Sequence, residues 1–218
     1  MKGILFKPDM IKAIVEGRKT QTRRLGGLKE INQEPDRWTC NGWAGSWQGF
    51  AFSDKSSATT SRIAKPRYQV GEVVYIKEAW GLAINEHGHN CLCYKSTNDD
   101  DMALDNPQMM RLWDSNKKQW ILEQTESPRW YPDRWRSPLF MPEWAARRFI
   151  KFTGVGAGRV QEISPKDCVA EGVIAEYGDG LARRDKFETL WDSINPKYSW
   201  ESNPWVFPYS FKRVEAEK

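Results

Sequence analysis

Residues 17–24 read Gly17-Arg18-Lys19-Thr20-Gln21-Thr22-Arg23-Arg24, with four cations and two hydroxyls in the seven residues after the glycine. Arginine forks and a mobile lysine suit phosphate or carboxylate partners. A threonine hydroxyl attacks a substrate only when a neighbouring base takes its proton, and a lysine desolvated in a cleft can be that base. On a regular strand Lys19, Gln21 and Arg23 share one face while Thr20 and Thr22 share the other, so a Lys19–Thr22 pair needs a twist or a bulge. A solvated basic turn has the same composition. A second constellation, His87-x-His89-x-Cys91-x-Cys93, repeats at period two. Alternate residues of a strand stand about 6.6 Å apart, too spread for one tetrahedral ion unless the loop curls. We read it as a loop histidine pair before a strand with small buried thiols, and expect no metal. Cys168 lies on the core face of its helix with no histidine near it in sequence, so it is not a candidate nucleophile.

The elements that must position these residues belong to a chain of 218 residues with 33 Lys+Arg against 29 Asp+Glu. A net charge of +4 is too small for a wholly basic nucleic-acid wrapper, so any such binding is local. Apolar runs such as Val73-Val74-Tyr75-Ile76 fall far short of the roughly 20 residues of a membrane span, and residues 4–8 do not open a signal peptide. With no export signal the four cysteines are expected reduced. The expectation is a cytoplasmic monomer or weak oligomer, without a membrane partner and without a cofactor. Twelve tryptophans, against 7 tyrosines and 9 phenylalanines, are the compositional excess to explain. Large amphipathic rings supply stacking platforms and pocket walls.

Asp9 as N-cap, Met10, Ile11, Ile14 and Val15 at helical spacing, and Gly17 at the end predict a two-turn helix. Residues 25–67 show no clear period and read as an irregular insertion. Val73–Ile76 is a strand leading to Lys77-Glu78-Ala79-Trp80. Residues 81–137 read as a second insertion with a short strand at 91–95. Met141–Arg148 predicts a short helix with Pro142 in its first turn, followed by a strand alternating Ile150 and Phe152 with Lys151 and Thr153. Arg159–Ile163 predicts another strand, and Ser164 caps a helix running to Gly172. Lys186–Ile194 is a helix with Phe187, Leu190, Trp191 and Ile194 on one face. Residues 204–214 close the chain as a strand whose Pro208 belongs on an edge or at a bulge. There is no βαβ alternation and no Gly-rich phosphate loop, which argues for a small mixed α+β sheet and against enzyme classes built on such loops.

In order, these blocks carry a resemblance: residues 17–24, Tyr68-Gln69-Val70-Gly71-Glu72 before the strand ending at Trp80, Met141-Pro142-Glu143-Trp144-Ala145, the helix from Ser164 to Gly172, Leu190-Trp191-Asp192-Ser193-Ile194-Asn195, and Asn203-Pro204-Trp205-Val206. Together they cover about half the chain. The sequence resembles the ASCH family, especially its bacteriophage-encoded members. The resemblance implies a PUA-like fold, a small curved β-barrel with short flanking helices, in one domain over 1–218. Its core would be about 1–24, 68–80 and 138–214, with 25–67 and 81–137 as loops grown on it.

One branch of the family, small amidohydrolases, removes the acetyl group from N4-acetylcytidine with a Lys, a Thr three residues later and a distant Glu. Carried over by position, these are Lys19, Thr22 and Glu171. The expected partner is RNA or a modified pyrimidine nucleoside, with DNA also chemically suited, in the host cytoplasm if the chain is phage-encoded. Trp80 and Trp144 would wall the pocket, with Lys77 and Glu78 at the strand end, Arg147 near a phosphate or ribose, and Arg18, Arg23 and Arg24 on the backbone. The alternatives are a non-catalytic nucleic-acid binder, in which Lys19–Glu171 is only a salt bridge, and a phage assembly or host-interaction protein. Trp80, Trp144, Trp191 and Trp205 fall in the family blocks. Trp38, Trp43, Trp47, Trp113, Trp120, Trp130 and Trp135 fall in the insertions, where partner choice is then expected to lie.

Overall fold

The computed structural model describes residues 1–57, 59–84, 90–95, 109–114, 119–124, 134–174 and 180–215. They form two compact units, Met1–Lys12 with Val73–Ile150 and Val214–Lys218, and Ala13–Glu72 with Lys151–Arg213.

In the first unit β1 (Gly3–Leu5) runs parallel to β6 (Val73–Lys77), with Gly3 opposite Tyr75. The segment expected to be an insertion with one short strand builds four: β7 (Trp80–Ile84), β8 (Asn90–Tyr94), β9 (Met109–Asp114) and β10 (Gln119–Gln124), an antiparallel sheet in the order β10-β9-β8-β7. Tyr75, Trp80, Tyr94, Met141, Ala145, Ala146 and Phe149 pack as its core. The two phenols satisfy themselves there, Tyr75 donating to the Met141 carbonyl (3.1 Å) and Tyr94 to that of Ala145 (2.6 Å). The helix expected over 141–148 is only a 3-10 turn, Glu143–Ala145. Ala145 and Ala146 N–H groups reach back three residues, to Pro142 and Glu143, and Ala146 then turns extended.

In the second unit β13 (Trp205–Val214) is the central strand, flanked by β11 (Phe149–Val155), by β12 (Gly158–Arg159) and by β2 (Gln21–Arg24). Pro208 therefore does not lie on an edge. A residue's N and C=O point to the same side of a strand, and the Pro208 carbonyl accepts from Gly156, just past the end of β11. Its missing N–H thus faces a turn rather than a ladder. The Arg159–Ile163 strand is also shorter than expected, ending at Arg159 and passing into a 3-10 turn over Val160–Glu162.

Residues 25–67 are not irregular: β3 (Trp38–Ala44), β4 (Gly49–Asp54) and β5 (Ser61–Ala64) form an antiparallel sheet. A bulge between Cys40 and Gly42 breaks the period-two pattern of β3. Buried Phe52 meets Trp205 edge-on at 5.0 Å, and Phe50 meets Phe207 at 5.6 Å. Tyr68, Phe152 and Tyr209 continue this aromatic layer. Three α-helices stand among the described residues: α1 (Pro8–Val15), α2 (Pro165–Ala170) and α3 (Gly180–Ile194). α1 begins at Pro8, placing Asp9 in the first turn instead of at the cap. α2 carries the expected Ser164 cap, closed reciprocally by Asp167. Phe187 and Trp191 of α3 pack with Cys168, Val206 and Trp200. Curled, largely antiparallel sheets with few helices make this the mixed α+β class expected. No helix among the described residues is long and apolar enough to cross a membrane.

Candidate functional site

Two helix ends meet at Lys19. At the end of α1 the N–H groups of Gly17 and Arg18 bond back to the carbonyls of Ile14 and Ala13, with Gly17 at φ 76°. At the end of α2 those of Gly172 and Val173 bond back to Val169 and Cys168, with Gly172 at φ 89°. Both are Schellman closures, which need a glycine-like residue at the left-handed position. The second leaves Glu171 as the C-cap of α2, its carbonyl without a helical partner. Lys19 Nζ supplies the partner at 2.8 Å, and the same nitrogen donates to the Gln21 carbonyl (2.8 Å) and to Glu171 Oε2 (2.7 Å). A cation here also faces the negative end of the α2 dipole. Gly172 makes the approach possible, since a Cβ there would lie 3.2 Å from Cβ of both Ala13 and Lys19. Gly172→Ala is therefore expected to cost about 1–3 kcal/mol in urea denaturation, from forbidden φ and displaced neighbours.

The Lys19 side chain is fully buried and that of Glu171 nearly so. Burial pulls the Lys19 pKa below its ordinary value, more strongly than the nearby Glu171 carboxylate pulls it back up. Arg23 holds the other oxygen of Glu171, NH1 to Oε1 at 3.0 Å, and donates to Gln21 Oε1 at 2.6 Å. Asp167 completes the network by accepting from Gln21 Nε2 (3.2 Å) and pairing with Arg23 (3.4 Å). Burial pushes the Asp167 carboxyl up, but Ser164, Arg23 and Gln21 together outweigh it and hold it below the usual range.

Thr22 is buried on β2 opposite Tyr209 of β13. Because Gln21 and Arg23 bond to each other and to α2, strand alternation turns Thr22 away from Glu171. Arg24 follows Thr22 by two, with Tyr68 and Tyr209 as electrostatic neighbours. Burial pushes the Tyr209 phenol up to about 12. Arg18 sits outside this network, paired with Glu16 at the surface.

The remaining candidates belong to the first unit. Glu78, 4% exposed, takes a two-pronged bond from Arg147 (3.1 and 2.8 Å) and a further one from Arg148. Arg147 also lies over the Tyr94 ring at 4.1 Å. The Glu78 carboxylate and the Arg147 guanidinium are thus spent on each other. Lys77 donates to the Leu139 carbonyl at 2.8 Å. Trp80 is buried, edge-on to Trp144 (5.8 Å) and covered by Arg136 at 4.7 Å. Trp144 is half exposed.

The sequence reading missed Gln21, Asp167 and Arg148. Gln21 and Asp167 were legible in part, Gln21 by sharing a strand face with Arg23 and Asp167 as a cap residue, yet nothing local links the two. His87 and His89 lie outside the described residues, and Cys91 and Cys93 stand on β8. Among the described residues no three His, Cys, Asp or Glu side chains group as a metal site.

No family model matches the sequence, and no curated protein matches it. Among solved structures, the crystal structure of protein EF3133 from Enterococcus faecalis V583, of family-model DUF984, is similar at 12% identity with a TM-score of 0.38. The match covers 94% of this chain and 66% of that one, just under two thirds of its length.

Proposed function

We propose that the chain is an ASCH-type, PUA-like domain that binds RNA or a modified pyrimidine nucleoside, and that Lys19 and Glu171 handle the proton in hydrolysis of an N4-acylated cytidine. The observation supporting this is the Lys19 ammonium, sealed from solvent against Glu171 and holding its proton less tightly than usual. A purely structural tie gains little from such a pair, because apolar residues of similar volume are as stable or more so. Perturbed groups with a specific charge partner cluster at functional sites.

Amide hydrolysis needs a base for the attacking group, positive charge near the tetrahedral oxyanion and an acid for the leaving amine. Glu171, 2.7 Å from Lys19 Nζ, is the proton relay, and Arg23 is the fixed positive charge. With Thr22 turned to the other face of β2, the attacking group in this reading is a water activated at Glu171. It enters past Asp167, whose side chain is the most exposed of the network's ion pairs.

Incubation with N4-acetylcytidine, followed by chromatography, is expected to release cytidine. Release by Lys19→Met should be slower by about 100-fold or more, the usual contribution of a positioned acid or base. A flat time course for the unmodified protein contradicts the hydrolysis, and salt-sensitive RNA binding without release would then support the non-catalytic alternative.

A further inference from the structure

We infer that the second unit carries a separate pocket for a small phosphomonoester, in which Lys29 and Lys197 hold the phosphate and Tyr198 packs against the organic group. The cavity measures about 270 Å³ and is lined by Lys29, Gln33, Lys197, Tyr198 and Ser202 together with Asn32 and Pro35. This is close to the lower bound of small-molecule sites. None of these residues is acidic, and all but Pro35 carry side-chain donors.

The charge is left uncompensated. Acids next to this wall in sequence are engaged by arginines: Glu30 with Arg62 (3.6 Å), Glu34 with Arg37 (3.2 Å) and Asp36 with Arg159 (2.6 Å). Neither Lys29 nor Lys197 has a carboxylate partner among the described residues, and Lys197 instead lies 5.9 Å from the Tyr198 ring centre. Glu201, next to Ser202 in sequence, has no ion pair among the described residues and is not part of the lining. Two ammonium groups without counter-ions, contributed from positions 29 and 197, make a site for a dianion.

Both walls are fixed to the core, so the pocket does not need to form around its ligand. The Asn32 amide exchanges two hydrogen bonds with the Trp205 backbone (2.9 and 2.8 Å). The Pro35 carbonyl accepts from Trp205 Nε1 (3.0 Å) and Arg159 (2.8 Å). On the other side Trp191 Nε1 donates to the Tyr198 carbonyl (2.8 Å), and the Trp200 N–H donates to Asp192 (2.6 Å). None of these residues belongs to the Lys19–Glu171 network, so the pocket stands or falls independently of the hydrolysis.

Isothermal titration at low salt with cytidine 5′-monophosphate, inorganic phosphate and cytidine tests this. The monophosphate is expected to bind most tightly, phosphate more weakly and cytidine weakest. Lys29→Ala/Lys197→Ala, which alters only exposed side chains and whose native fold circular dichroism verifies, should weaken the monophosphate by about tenfold or more. Lys19→Met should leave it unchanged. Monophosphate binding that survives in the double lysine variant, cytidine binding as tightly as its monophosphate, or no binding of either anion would overturn the assignment.

Discussion

Glu171→Ala is expected to destabilise the protein by about 3–5 kcal/mol, the usual loss when one partner of a buried ion pair is removed. Its carboxylate serves two cations at once, Lys19 at 2.7 Å and Arg23 at 3.0 Å, and both have nearly inaccessible side chains. Removing it takes the carboxylate away from the Lys19 ammonium and leaves it on the carbonyls of residues 21 and 171. Lys19→Met should cost distinctly less, because Glu171 keeps Arg23. Lys19→Met/Glu171→Met should likewise fall short of the Glu171→Ala loss, since it strands only Arg23, which retains Asp167. Urea denaturation of the three variants checks this order, and equal losses in all three would show that the charges are not coupled.

The same pair gives a pH dependence of definite sign. With the folded-state pKa of Lys19 below its ordinary 10.5, the unfolded chain binds the extra proton in the window between the two values. Stability supplied by this residue therefore rises with pH across that window and levels off above it. Lys19→Met should lack that rise.

In the first unit, Glu78→Ala is expected to cost about 3 kcal/mol by the same mechanism, leaving Arg147 and Arg148 facing each other without the carboxylate that joins them. Their partial exposure, 14% and 20%, keeps this at the lower end of the range. Glu78→Gln should cost less, since an amide still accepts one of the bonds. Thermal denaturation compares the two, and a loss no larger than that of an exposed Glu→Ala change would mean the cluster is solvated.

The parts of the fold that were legible in the sequence are those with uninterrupted local signals. The Ser164-Pro165…Asp167 cap, the run Val73–Ile76 and the alternation at 150–153 each declare their element within a few residues. Where one residue interrupts the period, the reading fails: the Gly42 bulge hid β3, and three-residue hydrogen bonding turned the 141–148 helix into a short turn. Tryptophan was sorted only in part. Trp38 lies in a segment read as a partner surface and is core, whereas Trp43 and Trp47 beside it are exposed.

Lys19 and Glu171 are 152 positions apart and nothing local joins them. The family resemblance named them together, and the two Schellman closures set them in contact. The same resemblance named Thr22, but strand alternation sets it on the other face of β2. Gln21 and Asp167 take the place beside the pair, through a contact between a strand and a helix cap that no sequence period encodes.

Cytidine release from N4-acetylcytidine by the Lys19→Met/Glu171→Met variant, with native far-ultraviolet circular dichroism and a cooperative unfolding transition verified on the same sample, tests the account most directly. A folded variant that releases no cytidine while the unmodified protein does is the predicted result. Release from the folded variant at the unmodified rate would make the buried pair a structural tie alone and contradict the account.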